Sequence, residues 1–139
     1  MPSAPKKLPA HRRDRCQSAA LGKFGEFVAA QYLKTLGYTI LAKNFRHIGF
    51  EIDLIAELGD SLCAVEIKTR TAQPIYRMCA HELLATRKLN ALAKGLSYFR
   101  TINRLTHNTL RIDFALVVIS NAKPRLYYWK DVGGEVQIT

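Results

Sequence analysis

FEIDLIAELGDSLCAVEIKTR, residues Phe50 to Arg70, reads as two apolar β-strands around a tight turn, yet Glu51, Asp53, Glu66 and Lys68 interrupt the pattern. A two-residue loop at Gly59-Asp60 pairs positions whose numbers sum to 119, and a symmetric four-residue loop keeps the same register. Asp53 then faces Glu66 and Glu51 faces Lys68 on one side of the hairpin, with direct partners roughly 5 Å apart between Cβ atoms. Ile52, Leu54 and Ala56 face Ile67, Val65 and Cys63 on the other, an apolar surface suited to burial against a helix.

Two carboxylates about 5 Å apart repel by roughly 3 kcal/mol at an effective dielectric near 20. Lys68 offsets part of this, and a divalent cation would offset more. Oxygen ligands without suitably spaced His or Cys favour Mg²⁺ or Mn²⁺ over zinc. The alternative is a solvated surface hairpin in which Glu51 and Lys68 form an ordinary cross-strand ion pair. Against it stand Ile55, Leu62 and Ala64, which share the charged face.

Outward from the hairpin, QSAALGKFGEFVAAQYLKTLG predicts a helix over 17–36, with Leu21, Phe24, Val28, Tyr32 and Leu36 on one stripe and Gly37 at its C-terminal cap. YTILAKNFR, residues 38–46, reads as a strand, and HIGF supplies the turn into the hairpin. TAQPIYRMCA, with Pro74, reads as a loop. Ala85, Leu89, Leu92, Leu96 and Phe99 recur at helical spacing over 80–100, while TLRIDFALVVI (109–119) and RLYYWKDV (125–132) read as strands. The predicted order is α-β-β-β-α-β-β in a single domain, residues 16–139, behind a basic disordered tail, residues 1–15.

The 139-residue chain is 48% hydrophobic and 23% charged, the balance of a globular protein. No run reaches the roughly 18 apolar residues of a membrane span, and no apolar stretch follows the basic opening as in a secretory signal, so a cytoplasmic protein without a membrane partner is expected. Cys16, Cys63 and Cys79 show no C-x-x-C spacing and read as reduced thiols. Net charge is +10, of which residues 1–15 supply +4. That surplus suits a polyanion, because each phosphate neutralised by Lys or Arg releases counterions; simple solubility is the other reading.

Asp53, then Glu66-Ile67-Lys68, resembles the D-x(n)-E-x-K signature of the PD-(D/E)XK nuclease superfamily. The wider arrangement of GKFGEFVAAQYLKTLGY, KNFR, EIDLIA, VEIKTR, Arg87-Lys88 and RIDFALV, over residues 20–119, resembles the bacterial YraN-type endonuclease family. The resemblance implies a restriction-endonuclease-like α/β core, a mixed central sheet flanked by helices. It makes Asp53 and Glu66, with the Ile67 carbonyl, the metal ligands, Lys68 the catalytic lysine and Glu26 a fourth site residue. Gln31, Arg70 and Lys88 become flanking groups on the substrate side. Helical geometry puts Glu26 on the flank of the apolar stripe, near Leu33; read by itself it is an exposed helix residue, and Lys88 a solvated lysine. The family carries glycine before its E-I-D-L-I run, where Phe50 stands here.

The expected activity is Mg²⁺-dependent phosphodiester hydrolysis on nucleic acid, DNA first. The alternatives are a non-catalytic nucleic-acid-binding protein of nuclease-like fold, and a dimeric junction resolvase, with the oligomeric state open. Asp113 reads as a structural hydrogen-bonding carboxylate as readily as a catalytic one. Tyr127, Tyr128 and Trp129 could stack on bases or alternate between core and surface.

Overall fold

A computed structural model of the chain describes residues 10–71 and 86–132, with only the backbone described at 10–18 and 86–87. Helix α1 spans Ala10–Thr35, strands β1, β2 and β3 span Thr39–His47, Phe50–Leu58 and Ser61–Thr71, helix α2 spans Thr86–Ile102, and β4 and β5 span Thr109–Ile119 and Arg125–Trp129. The order is the α-β-β-β-α-β-β expected from the sequence. The strands form one mixed sheet in the order β1-β2-β3-β4-β5, antiparallel except for the β3–β4 pair. A parallel neighbour requires a crossover, and α2 lies in it.

Helix α1 begins at Ala10, inside the stretch read as a tail; residues 1–9 lie outside the described part. The loop reading of 71–80 and the first residues of the predicted second helix also fall mostly outside it, as do Cys79 and the side chains of Cys16 and Arg87. Gly37, at φ +90°, ends α1: its amide donates to the Lys34 carbonyl and the Tyr38 amide to the Leu33 carbonyl, both at 3.0 Å. These two bonds form a Schellman cap, and Leu33 and Tyr38 are buried together beneath it.

The helices cover opposite faces of the sheet. On one, Ala29, Ala30 and Leu33 of α1 pack with Leu54, Ala56, Cys63, Val65, Ile67, Ala115 and Val117. On the other, Leu89, Leu92, Ala93, Leu96 and Phe99 of α2 pack with Ile52, Ile55, Leu62, Ala64, Ile112, Phe114, Leu116 and Val118. A sheet buried on both sides accounts for the near-continuous apolar runs of β2, β3 and β4, and it removes the solvated-hairpin alternative.

The stripe predicted for α1 is not its buried face. Phe24, Tyr32 and Leu36 are exposed, whereas Gly25, Ala29, Ala30 and Leu33 are buried. Small side chains let the helix axis approach the sheet, and Gly25 is the closest point: a Cβ there would overlap the Thr69 hydroxyl of β3.

The hairpin pairs as predicted from Leu58–Ser61 to Leu54–Val65, every partner pair summing to 119, with Gly59 at φ +58° in the turn. Beyond Leu54–Val65 the two strands carry no further ladder pairs. Strand β3 stays paired with β4 through Thr71, and β2 with β1 through Phe50, so β2 and β3 part company. In the β1–β2 ladder one register holds from Ala42–Ile55 to His47–Phe50, and the Asn44–Asp53 rung alone drops out of that run. Asn44 there takes φ +52°, a left-handed conformation that Asn tolerates better than most residues. This irregularity reverses the alternation: Ile52, expected beside Leu54 and Ala56, instead joins Ile55 on the α2 face.

Candidate metal and phosphate site

The acidic pair lies where the strands part. Glu66 keeps its place in the β3–β4 ladder opposite Phe114 and is 3% exposed. Asp53 has left both ladders of β2, and its Oδ2 accepts a hydrogen bond from the Ile67 amide at 2.9 Å. The carboxylate thus takes an amide of the very strand with which β2 no longer pairs. Cross-strand pairing of Asp53 with Glu66, as the extended register predicted, is replaced by this contact.

Glu51 does not reach Lys68 either. It stands opposite Arg46 in the β1–β2 ladder and forms an exposed ion pair with it at 3.1 Å. Lys68 instead places its Nζ 3.3 Å from Glu66 Oε1, and Lys88 of α2 brings a second ammonium to 3.6 Å from the same oxygen. Both lysines are about two-fifths exposed, with relative side-chain exposures of 38% and 40%. Among the described residues, the buried Glu66 Oε2 has no hydrogen-bond partner.

Burial pushes the Glu66 carboxyl above its ordinary range, the Asp53 charge adds to the rise, and Lys88 and Lys68 oppose it. Burial likewise raises Asp53, against the Ile67 amide and the same two lysines, with Glu51 contributing a further small rise. Taking two carboxylates out of water disfavours their ionised forms. A cation bound between them would reverse that preference.

The residues fit a hard divalent ion on one observation above all, the buried second oxygen of Glu66, which has no donor among the described residues. Mg²⁺ commonly takes one or two carboxylates and completes its shell with water and substrate phosphate. Among the described residues no three His, Cys, Asp or Glu side chains converge as a metal cage, so an ion here would rest on Asp53, Glu66 and backbone oxygen.

Of the other sequence candidates, Glu26 is half-exposed on α1, where Oε2 accepts from Asn44 Nδ2 at 3.3 Å. It adjoins Gly25, whose contact with Thr69 draws this turn of α1 onto β3 directly after Lys68. Gln31 is exposed with no hydrogen bond to the cluster, and exposed Arg70 donates to the neighbouring Thr69 carbonyl. Sequence reasoning missed Asn44 and Thr69. A break in the apolar alternation at 43–45 and 52–55 would have marked Asn44; nothing in a one-dimensional pattern marks Thr69.

Asp113 of β4, opposite Val65 and one rung from Glu66, is a structural centre. Fully buried, it accepts from Arg111 Nε and Nη2, the Tyr128 hydroxyl and the Asp131 amide at 2.6–3.0 Å. The Asp131 bond turns the chain back after Trp129, which is why β5 ends before the predicted 132. Tyr127 and Trp129 pack on the α2 face and Tyr128 on the α1 face, the alternation of core positions in place of a stacking surface. Cys63 is a free, buried thiol.

The profile of the uncharacterised protein family UPF0102 matches residues 25–117. The chain is 37% identical to a UPF0102 protein of Dehalococcoides mccartyi over 82% of its own length and 93% of the relative's. It is 33% identical to one of Alkaliphilus metalliredigens over 80% and 95% of the two lengths. The matched segment runs from Gly25 through the acidic pair to Val117 of β4.

Proposed function

The chain belongs to the uncharacterised protein family UPF0102, the YraN family, and we propose that it is a divalent-metal-dependent endonuclease hydrolysing phosphodiester bonds of nucleic acid, DNA first. The observation that carries this reading is the buried Glu66, beside Asp53 and under two partly exposed lysines, with a second carboxylate oxygen that has no donor among the described residues.

A cation held there supplies Lewis-acid polarisation of the phosphate and a lower pKa for an attacking water. Asp53 and Glu66 would hold it, with the Ile67 carbonyl as a backbone ligand. The Ile67 amide fixes the Asp53 carboxylate through its hydrogen bond. Lys68, held by Glu66 Oε1, presents an ammonium to the charge that develops on the phosphate oxygens. Lys88, on α2, brings a second ammonium to the same carboxylate oxygen and binds a phosphate of the substrate. Glu26, held by Asn44, flanks the site from α1. The +10 charge of the chain supports a polyanionic substrate.

The test is cleavage of linear, flapped, four-way and single-stranded DNAs with Mg²⁺ or Mn²⁺ by wild type, Glu66→Ala and Lys68→Ala. Cleavage lost in both variants supports the reading. The net charge of +10, which suits a polyanion with or without chemistry, supports one other reading, a nucleic-acid-binding protein that keeps the nuclease fold without its chemistry. Binding without cutting on every substrate, undiminished by Glu66→Ala in EDTA, would establish it instead.

A further inference from the structure

The turn between β1 and β2 carries an aromatic group that the acidic site does not use. His47 stacks on Phe50 with ring centroids 5.5 Å apart and planes 19° apart, and lies 4.3 Å from the Tyr98 ring of α2. Phe50 and Tyr98 are 5.8 Å apart, and Phe45 continues the group inward to Phe99. His47 is exposed and Phe50 and Tyr98 are half-buried. At the tip Ile48 is 92% exposed, beside Gly49 at φ +88°.

The shelf is built into the packing. A Cβ at Gly95 would come within 2.7 Å of the Phe50 ring, so α2 offers a glycine where the phenylalanine is seated. Phe50 also stands where the YraN resemblance expects glycine, which makes the shelf a feature of this chain's own residues.

We propose that this tip stacks an unpaired nucleobase, Ile48 acting as a wedge and His47, Phe50 and Tyr98 as the platform; the inference rests on the nuclease reading and gives its substrate class as DNA with a flapped or frayed end. Inside a duplex a base shows only its edges, and its face becomes available where a stacking neighbour is missing. Apolar side chains inserted at a base step act the same way. Phe50 and Asp53 are three residues apart on β2, about 10 Å at strand rise, which spans about three nucleotides of one strand. Glu51, next to the tip in sequence, is paired with Arg46, and the chain as a whole carries a net charge of +10. That charge favours a nucleic acid over a protein as the occupant.

The experiment measures binding of the full chain, in EDTA, to a blunt duplex and to the same duplex carrying a short single-stranded flap with 2-aminopurine at its unpaired base. Ile48→Ser and His47→Ala, both at exposed positions, should each weaken flap binding by about tenfold, the loss of one stacking contact, and relieve the quenching of 2-aminopurine. Blunt-duplex affinity should stay unchanged. Equal loss on both DNAs, or no loss on either as expected of a protein-docking surface, would overturn the proposal. Wild-type cleavage without any effect of the variants would overturn this inference alone. Failure of the wild type to bind either DNA would remove the nuclease reading and this one with it.

Discussion

Asp53 Oδ2 lies 2.9 Å from the Ile67 amide, and that single contact stands at the point where β2 and β3 cease to pair. An antiparallel ladder continued by one rung would have placed Asp53 beside Glu66 as neighbours in a flat sheet. Where the strands part, Glu66 is left buried with one carboxylate oxygen that has no donor among the described residues. Fold and site meet there, because β3 remains committed to β4 while β2 remains committed to β1.

If the acidic pair binds a divalent ion, millimolar Mg²⁺ or Mn²⁺ should raise the thermal midpoint of wild type. A ligand at 100 times its dissociation constant stabilises by about 2.7 kcal/mol. Glu66→Gln should abolish the shift, as read by calorimetry with and without EDTA. An equal shift in the variant would place the ion elsewhere.

Lys68 and Lys88 contact the same oxygen but should not be equivalent. Loss of a preorganised charge at the reacting phosphate costs roughly 100- to 1000-fold in rate, and this is the expected effect of Lys68→Met on single-turnover cleavage. Lys88→Met should act on substrate affinity and its salt dependence, lowering the slope of log K against log salt by about one. The reverse split would exchange the two roles.

Gly25→Ala should destabilise the fold by about 1–3 kcal/mol, the usual cost of overpacking, because the added methyl meets Thr69. Thr69→Ala should relieve part of that loss, giving a coupling energy in a double-mutant cycle by urea unfolding. Strict additivity of the two would mean that α1 and β3 are not in contact here.

Asp113→Ala should cost about 3–5 kcal/mol, since it leaves the Arg111 charge partly buried without its partner. Urea unfolding measures it. Any residual folded protein should still show the metal-induced stabilisation, because Asp113 contacts none of the acidic-pair residues by hydrogen bond.

Stability should fall above pH 9. Burial pushes the Cys63 thiol from 9.0 up to about 12, and burial beside Asp113 raises the Tyr128 phenol. Between the unfolded and folded values the native state retains protons that the unfolded chain has released, so unfolding becomes easier as pH rises through that window. Cys63→Ala should flatten the alkaline fall in urea midpoint between pH 8 and pH 10.5. Native Cys63 should also resist alkylation at pH 8 and react once unfolded.

What the sequence determined by itself is local. The turn at Gly59-Asp60 and the two-residue period set the register from Leu58–Ser61 to Leu54–Val65. Gly37 ended the first helix, and helical and strand periods placed the described elements in their order. Asp53, Glu66 and Lys68 were visible together because the hairpin joins them through few residues. Tertiary structure alone decided the rest. The large apolar residues of α1 follow a helical period, yet burial went to Gly25, Ala29, Ala30 and Leu33, since closeness to the sheet depends on what faces the helix as well as on its own side chains. The strands parted at Asp53, which is missing from both ladders of β2 and whose carboxylate takes the Ile67 amide in place of a backbone rung, and Lys88 reached Glu66 across 22 positions because α2 packs over the sheet. Periodicity is written within one element; these contacts arise between elements, where packing distance and competing hydrogen bonds choose the outcome.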